Sequence, residues 1–286
     1  MKIAVFSGTM MEYSLHQAME IASRLGFEGI EIACREPHLS PDSPPSRVEE
    51  IRALADRYGL FIPALAGYMG HFSEADEEAC MRALDEVRKL LKHAERLGAG
   101  MLRIFPGGPN AFLAQPSYYE KAARWLRRCA EEAEGHGKRI VLEIHNGSLI
   151  ETADDALRLL NLVGAGSIGI ILDAGNMYIA DTDYGRDSVL KLGRHLFHIH
   201  VKDEKRIEAA GAPGTFVNRT RHGEESFLQC RLGEGETDHR ELFAALRDTG
   251  YNGWITLETA APYPPEERLL HDLAAVRRLL GLCQPG

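Results

Sequence analysis

Eight times along this chain, a short run of strand-forming residues is followed by a stretch with apolar residues at helical spacing. The strand-like runs are KIAVFS (2–7), GIEIAC (29–34), LFIPALA (60–66), MLRIF (101–105), RIVLEIH (139–145), SIGIILD (167–173), LFHIHVKD (196–203) and WITLE (254–258). The spacing predicts helices over 15–25, 46–58, 75–97, 117–136, 152–163, 185–193, 237–249 and 265–280. Gly26 and Gly98 stop two of these helices, and Thr152 caps another. Parallel strands joined by helical crossovers, counted to eight with no linker-like break, close most economically into a (β/α)8 TIM barrel. The expected architecture is therefore α/β, one domain over residues 1–286. An open doubly wound sheet would normally carry a glycine-rich turn after its first strand, and FSGTMMEYS (6–14) has no GxGxxG. PHLSPDSPPS (37–46) reads as a loop, and so does the long segment 204–231, a candidate lid or oligomer contact.

Composition narrows the function classes. The net charge is −9 and no lysine or arginine run stands out, so a nucleic-acid groove is not expected. No apolar run approaches the roughly 18 residues that span a bilayer. MKIAVFSG is already a strand pattern, which argues against a secretory signal. Cys34, Cys80, Cys129, Cys230 and Cys283 form an odd, scattered set with no CxxC pair, as expected of reduced thiols in a cytoplasmic protein. The expected partner is a small molecule, with a homo-oligomer left open.

Barrels of this kind place their active sites at the C-terminal ends of the strands, so the residues that end each strand are the ones to read. The fifth strand ends with Glu143 and His145 on one face, and the sixth ends in Asp173, followed by Asn176. The seventh carries His198, His200 and Lys202 on one face, and the eighth ends in Glu258. Three carboxylates and an imidazole converging on one rim would repel one another unless a cation sat among them. Glu143, Asp173, His200 and Glu258 therefore form a candidate site for one divalent metal ion. Its oxygen-rich donor set favours Mn²⁺ or Mg²⁺, with Co²⁺ or Zn²⁺ as alternatives. Lys202 and Arg206 could offset the remaining negative charge, and His198, one pleat deeper than His200, is expected in the core or behind the ligands.

Several of these stretches also resemble a family. They are YSLHQAMEIASRLGFEGIEI (13–32), LEIHNG (142–147), ILDAGNMY (171–178), HIHVKD (198–203), LGEGETD (232–238) and GYNGWITLE (250–258). In that order they resemble the sugar phosphate isomerase/epimerase family with the xylose-isomerase-like TIM barrel, particularly its ketose 3-epimerases and inosose dehydratases. The resemblance implies that Glu143, Asp173, His200 and Glu258 hold the ion, and that Glu143 and Glu258 are also the catalytic acid/base pair. One glutamate would remove a proton beside a metal-polarised carbonyl, and the other would return one to the enediolate from the opposite face.

The implied activity is that of an isomerase or epimerase of a small sugar or polyol ketone, with an inosose-type dehydratase as the alternative. Ketose 3-epimerases tend to carry His where this chain has Asn176, whereas Arg206 fits their spacing. Lys202 looks more like the inosose dehydratase and hydroxypyruvate-isomerase-like branches. A DNA-repair endonuclease of the same fold would need His at position 176 and an Asp-x-His pair where this chain has Cys230 and Leu232. Candidate substrate-binding residues are His145, Asn176, Lys202, Arg206 and His71, the last from the GYMGHF turn (67–72). Glu31 could face the substrate or pair with a basic neighbour, and Arg219, Arg221 and His222 could meet an anion. No phosphate site stands out, so a free polyol or a sugar acid is expected.

Overall fold

The computed structural model describes residues 1–281; Cys283 lies outside them, and the other four cysteines are buried free thiols. The first half runs β1 (Lys2–Phe6), α1 (Leu15–Leu25), β2 (Gly29–Ala33), α2 (Pro45–Tyr58), β3 (Ala64–Gly70), α3 (Glu77–Leu97), β4 (Met101–Phe105) and α4 (Pro116–Gly135). Next come β5 (Arg139–Glu143), α5 (Ala153–Val163), β6 (Ile168–Asp173), α6 (Ala174–Ile179), α7 (Arg186–Leu192) and β7 (Leu196–Val201). The chain then forms β8 (Asp203–Ile207), β9 (Thr215–Thr220), β10 (Gly223–Cys230), α8 (Arg240–Asp248), β11 (Trp254–Leu257) and α9 (Pro265–Leu279). Strands β1, β11, β7, β6, β5, β4, β3 and β2 close into a parallel barrel in that order, a single-domain (β/α)8 TIM barrel. Among the described residues, no helix is long and apolar enough to cross a membrane.

Local signals set the helix ends. Ser14 and Gln17 form a reciprocal capping box at the start of α1, and Gly26 closes it in the left-handed conformation. Thr152 Oγ1 accepts the Asp155 N–H at 3.0 Å and starts α5. A cap of this kind contributes about 1 kcal/mol. Each helix buries one stripe against the barrel, as α3 does with Leu84, Val87, Leu91 and Ala94.

The barrel interior changes character along its axis. At the N-terminal end, Ala64, Met101, Val141 and Ile171 pack with Phe197 into an apolar plug. Above it the inward positions carry Glu31, Arg103, Glu143, Asp173, His198 and His200, all buried. Branched apolar side chains ordinarily fill those layers, so an ionisable layer marks where function replaced packing.

Three expectations need correction. The third strand runs over Ala64–Gly70 rather than 60–66. Pro63 lacks an N–H, and Phe61 makes only an isolated bridge to Gly29, so the ladder with β4 begins at Ala64 opposite Met101. The strand ends at Gly70, where φ is 124° and a Cβ would lie 2.0 Å from the Phe105 carbonyl oxygen, so only glycine fits.

The second correction is the segment 204–231, which is a three-stranded antiparallel sheet, order β8-β10-β9, rather than a loop. Its strands mix polar and apolar residues, and its apolar content is concentrated in the stack of Phe216 on fully buried Phe227. Arg221 and His222 form the two-residue turn between β9 and β10. Third, strand ends come earlier than alternation predicted. β5 stops at Glu143 and β7 at Val201, and α6 forms at once after β6 because Asp173 caps it.

Candidate metal centre and active site

The barrel register builds the site. Asp173 pairs with His200 across β6 and β7, and Thr256 pairs with His200 across β11 and β7. Glu143 ends β5 on the other side of β6, and Glu258 follows β11, its N–H donating to the Val201 carbonyl at 3.0 Å. Glu143, Asp173, His200 and Glu258 can each offer one ligand atom, all lying within 4.8 Å of one another. His200 Nδ1 stands 3.0 Å from Glu258, 3.5 Å from Glu143 and 4.0 Å from Asp173.

The four residues do not share one environment. Arg103 Nη1 donates to Glu143 Oε2 at 2.8 Å, and Asn176 Nδ2 donates to Glu143 Oε1 at 3.0 Å, so both oxygens are held. Burial pushes Glu143 up, but Arg103, His200 and Lys202 outweigh it and hold the carboxyl well below the usual range. Asp173 Oδ1 accepts the Asn176 N–H at 2.9 Å as a helix cap, while Oδ2 accepts no hydrogen bond of regular geometry among the described residues and faces the Lys202 ammonium at 3.0 Å. Burial raises Asp173 to about 6; Lys202 opposes that rise and the charges of Glu143 and Glu258 add to it. Glu258 is the most accessible of the carboxylates, its side chain 19% exposed.

Cations already stand in this cluster. Lys202 Nζ lies 3.0 Å from Asp173, 3.6 Å from Glu258 and 4.0 Å from Glu143. Burial alone would lower its pKa, but Asp173, Glu258 and Glu143 raise it well above the ordinary value, so it is an ammonium. Gly175 makes room for its stem, because a Cβ there would lie 2.5 Å from Lys202 Cγ. Burial also favours a neutral His200, yet Glu31, Glu143 and Glu258 hold it well above the usual value. Beside Lys202, the buried carboxyl of Glu204 is pushed up to about 8 by burial.

A divalent cation fits this donor set. The hard oxygens of three carboxylates and one imidazole nitrogen converge. Among the described residues, Asp173 Oδ2 has no hydrogen bond of regular geometry and only an ion-pair contact with Lys202, so it is a buried acceptor that a divalent cation could also take.

The other sequence candidates fall in different places. Asn176 spends its amide on Glu143 and on the Ile144 carbonyl, so it steadies the ligands. Arg206 pairs with Asp181 and Glu225 and lies over Tyr178 and Phe227, tying the β8–β10 sheet to α6. His71 is exposed, with φ 56°, and stacks on Phe105; His145 meets the same ring edge-on. His198 and Glu31 are fully buried and bonded to each other at 3.0 Å. His222 pairs with Asp181 at 2.9 Å.

Sequence reading missed Arg103, although MLRIF held a signal: an arginine flanked by apolar residues on both sides and facing inward. Its guanidinium lies among Phe6, Tyr68 and Phe105, whose ring faces shield the pair with Glu143.

Comparison with known proteins is consistent with this fold. The family described as "Xylose isomerase-like TIM barrel" matches residues 19–279. A fructoselysine 3-epimerase from Escherichia coli O157:H7 is 27% identical over 278 residues, covering 94% of both chains. An inosose dehydratase from Geobacillus thermodenitrificans (strain NG80-2) is 30% identical over 170 residues, 55% of this chain and 53% of its own. Among solved structures, the IOLI protein, described with a binding zinc atom, superposes with a TM-score of 0.79 at 17% identity, over 100% of both chains.

Proposed function

The chain belongs to the xylose isomerase-like TIM barrel family, and from that premise we propose that it is a divalent-metal-dependent isomerase or epimerase of a small sugar or polyol ketone. The observation that carries this reading is the convergence of Glu143, Asp173, His200 and Glu258 at the strand ends. An ion held by these four residues would act as a Lewis acid on the substrate carbonyl and its neighbouring hydroxyl. Mn²⁺ or Mg²⁺ suits the oxygen-rich set best, with Co²⁺ or Zn²⁺ as alternatives.

The chain's own groups then divide the proton transfer. Glu258, the more accessible carboxylate, takes the proton from the carbon beside the carbonyl. Glu143, held at both oxygens, has little freedom to move, so it delivers or accepts a proton only where the substrate is brought to it. Lys202 presents an ammonium to a substrate oxygen, while His145 and His71 meet the substrate beside Phe105. The expected setting is cytoplasmic, with a small-molecule partner and no nucleic acid or membrane.

The asymmetry of the two glutamates favours a second reading, a dehydratase. Elimination needs one mobile base and one acid. Glu258 would take the α-proton, the C–H pair would form the double bond, and the β C–O bond would break. Lys202, 3.6 Å from Glu258, would protonate the departing hydroxide to water.

Incubation of metal-loaded protein in D₂O with a panel of ketoses and polyol ketones tests both readings. Solvent deuterium at a retained carbon supports isomerisation or epimerisation, and ultraviolet absorbance from an unsaturated product supports elimination. Neither signal from any ketone of the panel would overturn the proton-transfer reading.

A further inference from the structure

Glu31 lies in the middle of β2, three strands away from His200 around the barrel wall, and both are fully buried. Glu31 Oε2 is 3.1 Å from His200 Nε2 and 3.0 Å from His198 Nε2. His198 Nε2 is also 2.9 Å from Thr256 Oγ1. An ionised carboxylate only accepts hydrogen bonds, so both imidazoles donate Nε2–H to it. The opposite nitrogen of His200, Nδ1, faces Glu258, Glu143 and Asp173. The two nitrogens of one ring thus address two different carboxylate groups.

We propose that Glu31 is the positioning residue of the metal centre: by taking the Nε2–H of His200 it fixes the ring and leaves Nδ1 as the ligand nitrogen. This rests on the metal site proposed above. A half-turn of the ring about Cβ–Cγ would exchange Nδ1 for a carbon, and the bond to Glu31 prevents it. Phe6, stacked on His200 with centroids 6.4 Å apart, packs against the ring on one side. His198, itself bonded to Thr256, steadies Glu31 in turn.

A role in packing alone accounts poorly for this residue. Glu31 Oε1 is buried without a hydrogen-bond partner among the described residues, so an all-apolar set in place of Glu31 and the two imidazoles it serves would cost the core less. Carboxylates behind a ligating histidine set its tautomer and raise its basicity, and their loss typically weakens metal binding about 10–100-fold.

The test uses chelator-stripped full-length protein titrated with Mn²⁺ by calorimetry and with Co²⁺ by visible absorption. Glu31→Gln should weaken Mn²⁺ about 10–100-fold and alter the Co²⁺ bands, which report the ligand field. Glu31→Asp keeps the charge but withdraws it from Nε2; it covers the case in which the Gln variant does not fold, and should weaken Mn²⁺ about tenfold. Folded variants with unchanged Mn²⁺ affinity and unchanged Co²⁺ bands would overturn the proposal while leaving the metal site standing. Two ions per native chain, falling to one in Glu31→Gln, would overturn it differently, by making Glu31, His198 and His200 a second metal site. A native chain that binds neither ion would remove the metal reading itself.

Discussion

The ammonium of Lys202 stands 3.0 Å from Asp173 Oδ2, inside the carboxylate cluster that would hold a divalent ion. Without an ion, the chain supplies its own cation, and the two compete for the same oxygens. Lys202→Met should therefore lower the stability of chelator-stripped protein by about 3–5 kcal/mol, the cost of leaving buried carboxylates unpaired. The same variant should bind Mn²⁺ more tightly than the native chain. Denaturant melts and calorimetric titration check the two halves, and weaker Mn²⁺ binding would show that the lysine supports the ion instead of competing with it.

Glu143→Gln and Glu258→Gln should each reduce turnover by about 10²–10⁴-fold, the usual contribution of a positioned acid or base. They should differ in stability. Glu143→Gln leaves Arg103 buried without its charge partner and should lose about 3–5 kcal/mol. Glu258→Gln alters a more exposed group and should lose less. Full turnover in both variants would refute the proton-transfer assignment.

Metal loading should release about one proton per chain near pH 7. The neighbouring carboxylates hold His200 well above its ordinary pKa despite burial, so the stripped protein carries it as imidazolium. A ligand nitrogen must be free of its proton, while the Nε2–H donated to Glu31 is retained. Calorimetry in two buffers of different ionisation enthalpy measures the release, and a value near zero would contradict ligation by His200.

Glu204 gives a stability signature in pH. Burial lifts its folded pKa to about 8, whereas the unfolded carboxyl titrates near the ordinary glutamate value of 4.5. The folded state therefore binds more protons across that interval, and this group lowers stability progressively as pH rises from about 4.5 to about 8. Glu204→Gln removes the loss. The stripped variant should match the native chain near pH 4 and exceed it at pH 8, by no more than about 5 kcal/mol for a shift of that size. Parallel melting curves across this range would show that Glu204 ionises normally.

Much of the site was legible because strand periodicity is local. LEIHNG, ILDAGNMY, HIHVKD and WITLE each place an ionisable residue within one position of a strand's end, and counting strands is enough to place those ends on one rim. The two oxygens of Asp173 serve different ends: Oδ1 caps α6 while Oδ2 faces the cluster. The β8–β10 sheet was illegible because its strands carry few apolar residues and draw their burial from Tyr178 and from one another. Arg206 shows the consequence: the right distance in sequence from His200, yet engaged by Asp181 and Glu225.

By itself, the sequence determined the barrel and the four residues at its strand ends, because both follow from patterns only a few residues long. Tertiary structure alone decided how those residues are held. Arg103 from β4 locks Glu143, and Glu31 from β2 turns His200. Both contacts join residues far apart in the chain, across 40 and 169 positions, and closure of the barrel brings them into one buried interior. In that interior an unpaired charge costs so much that each ionisable group must find its partner from another strand.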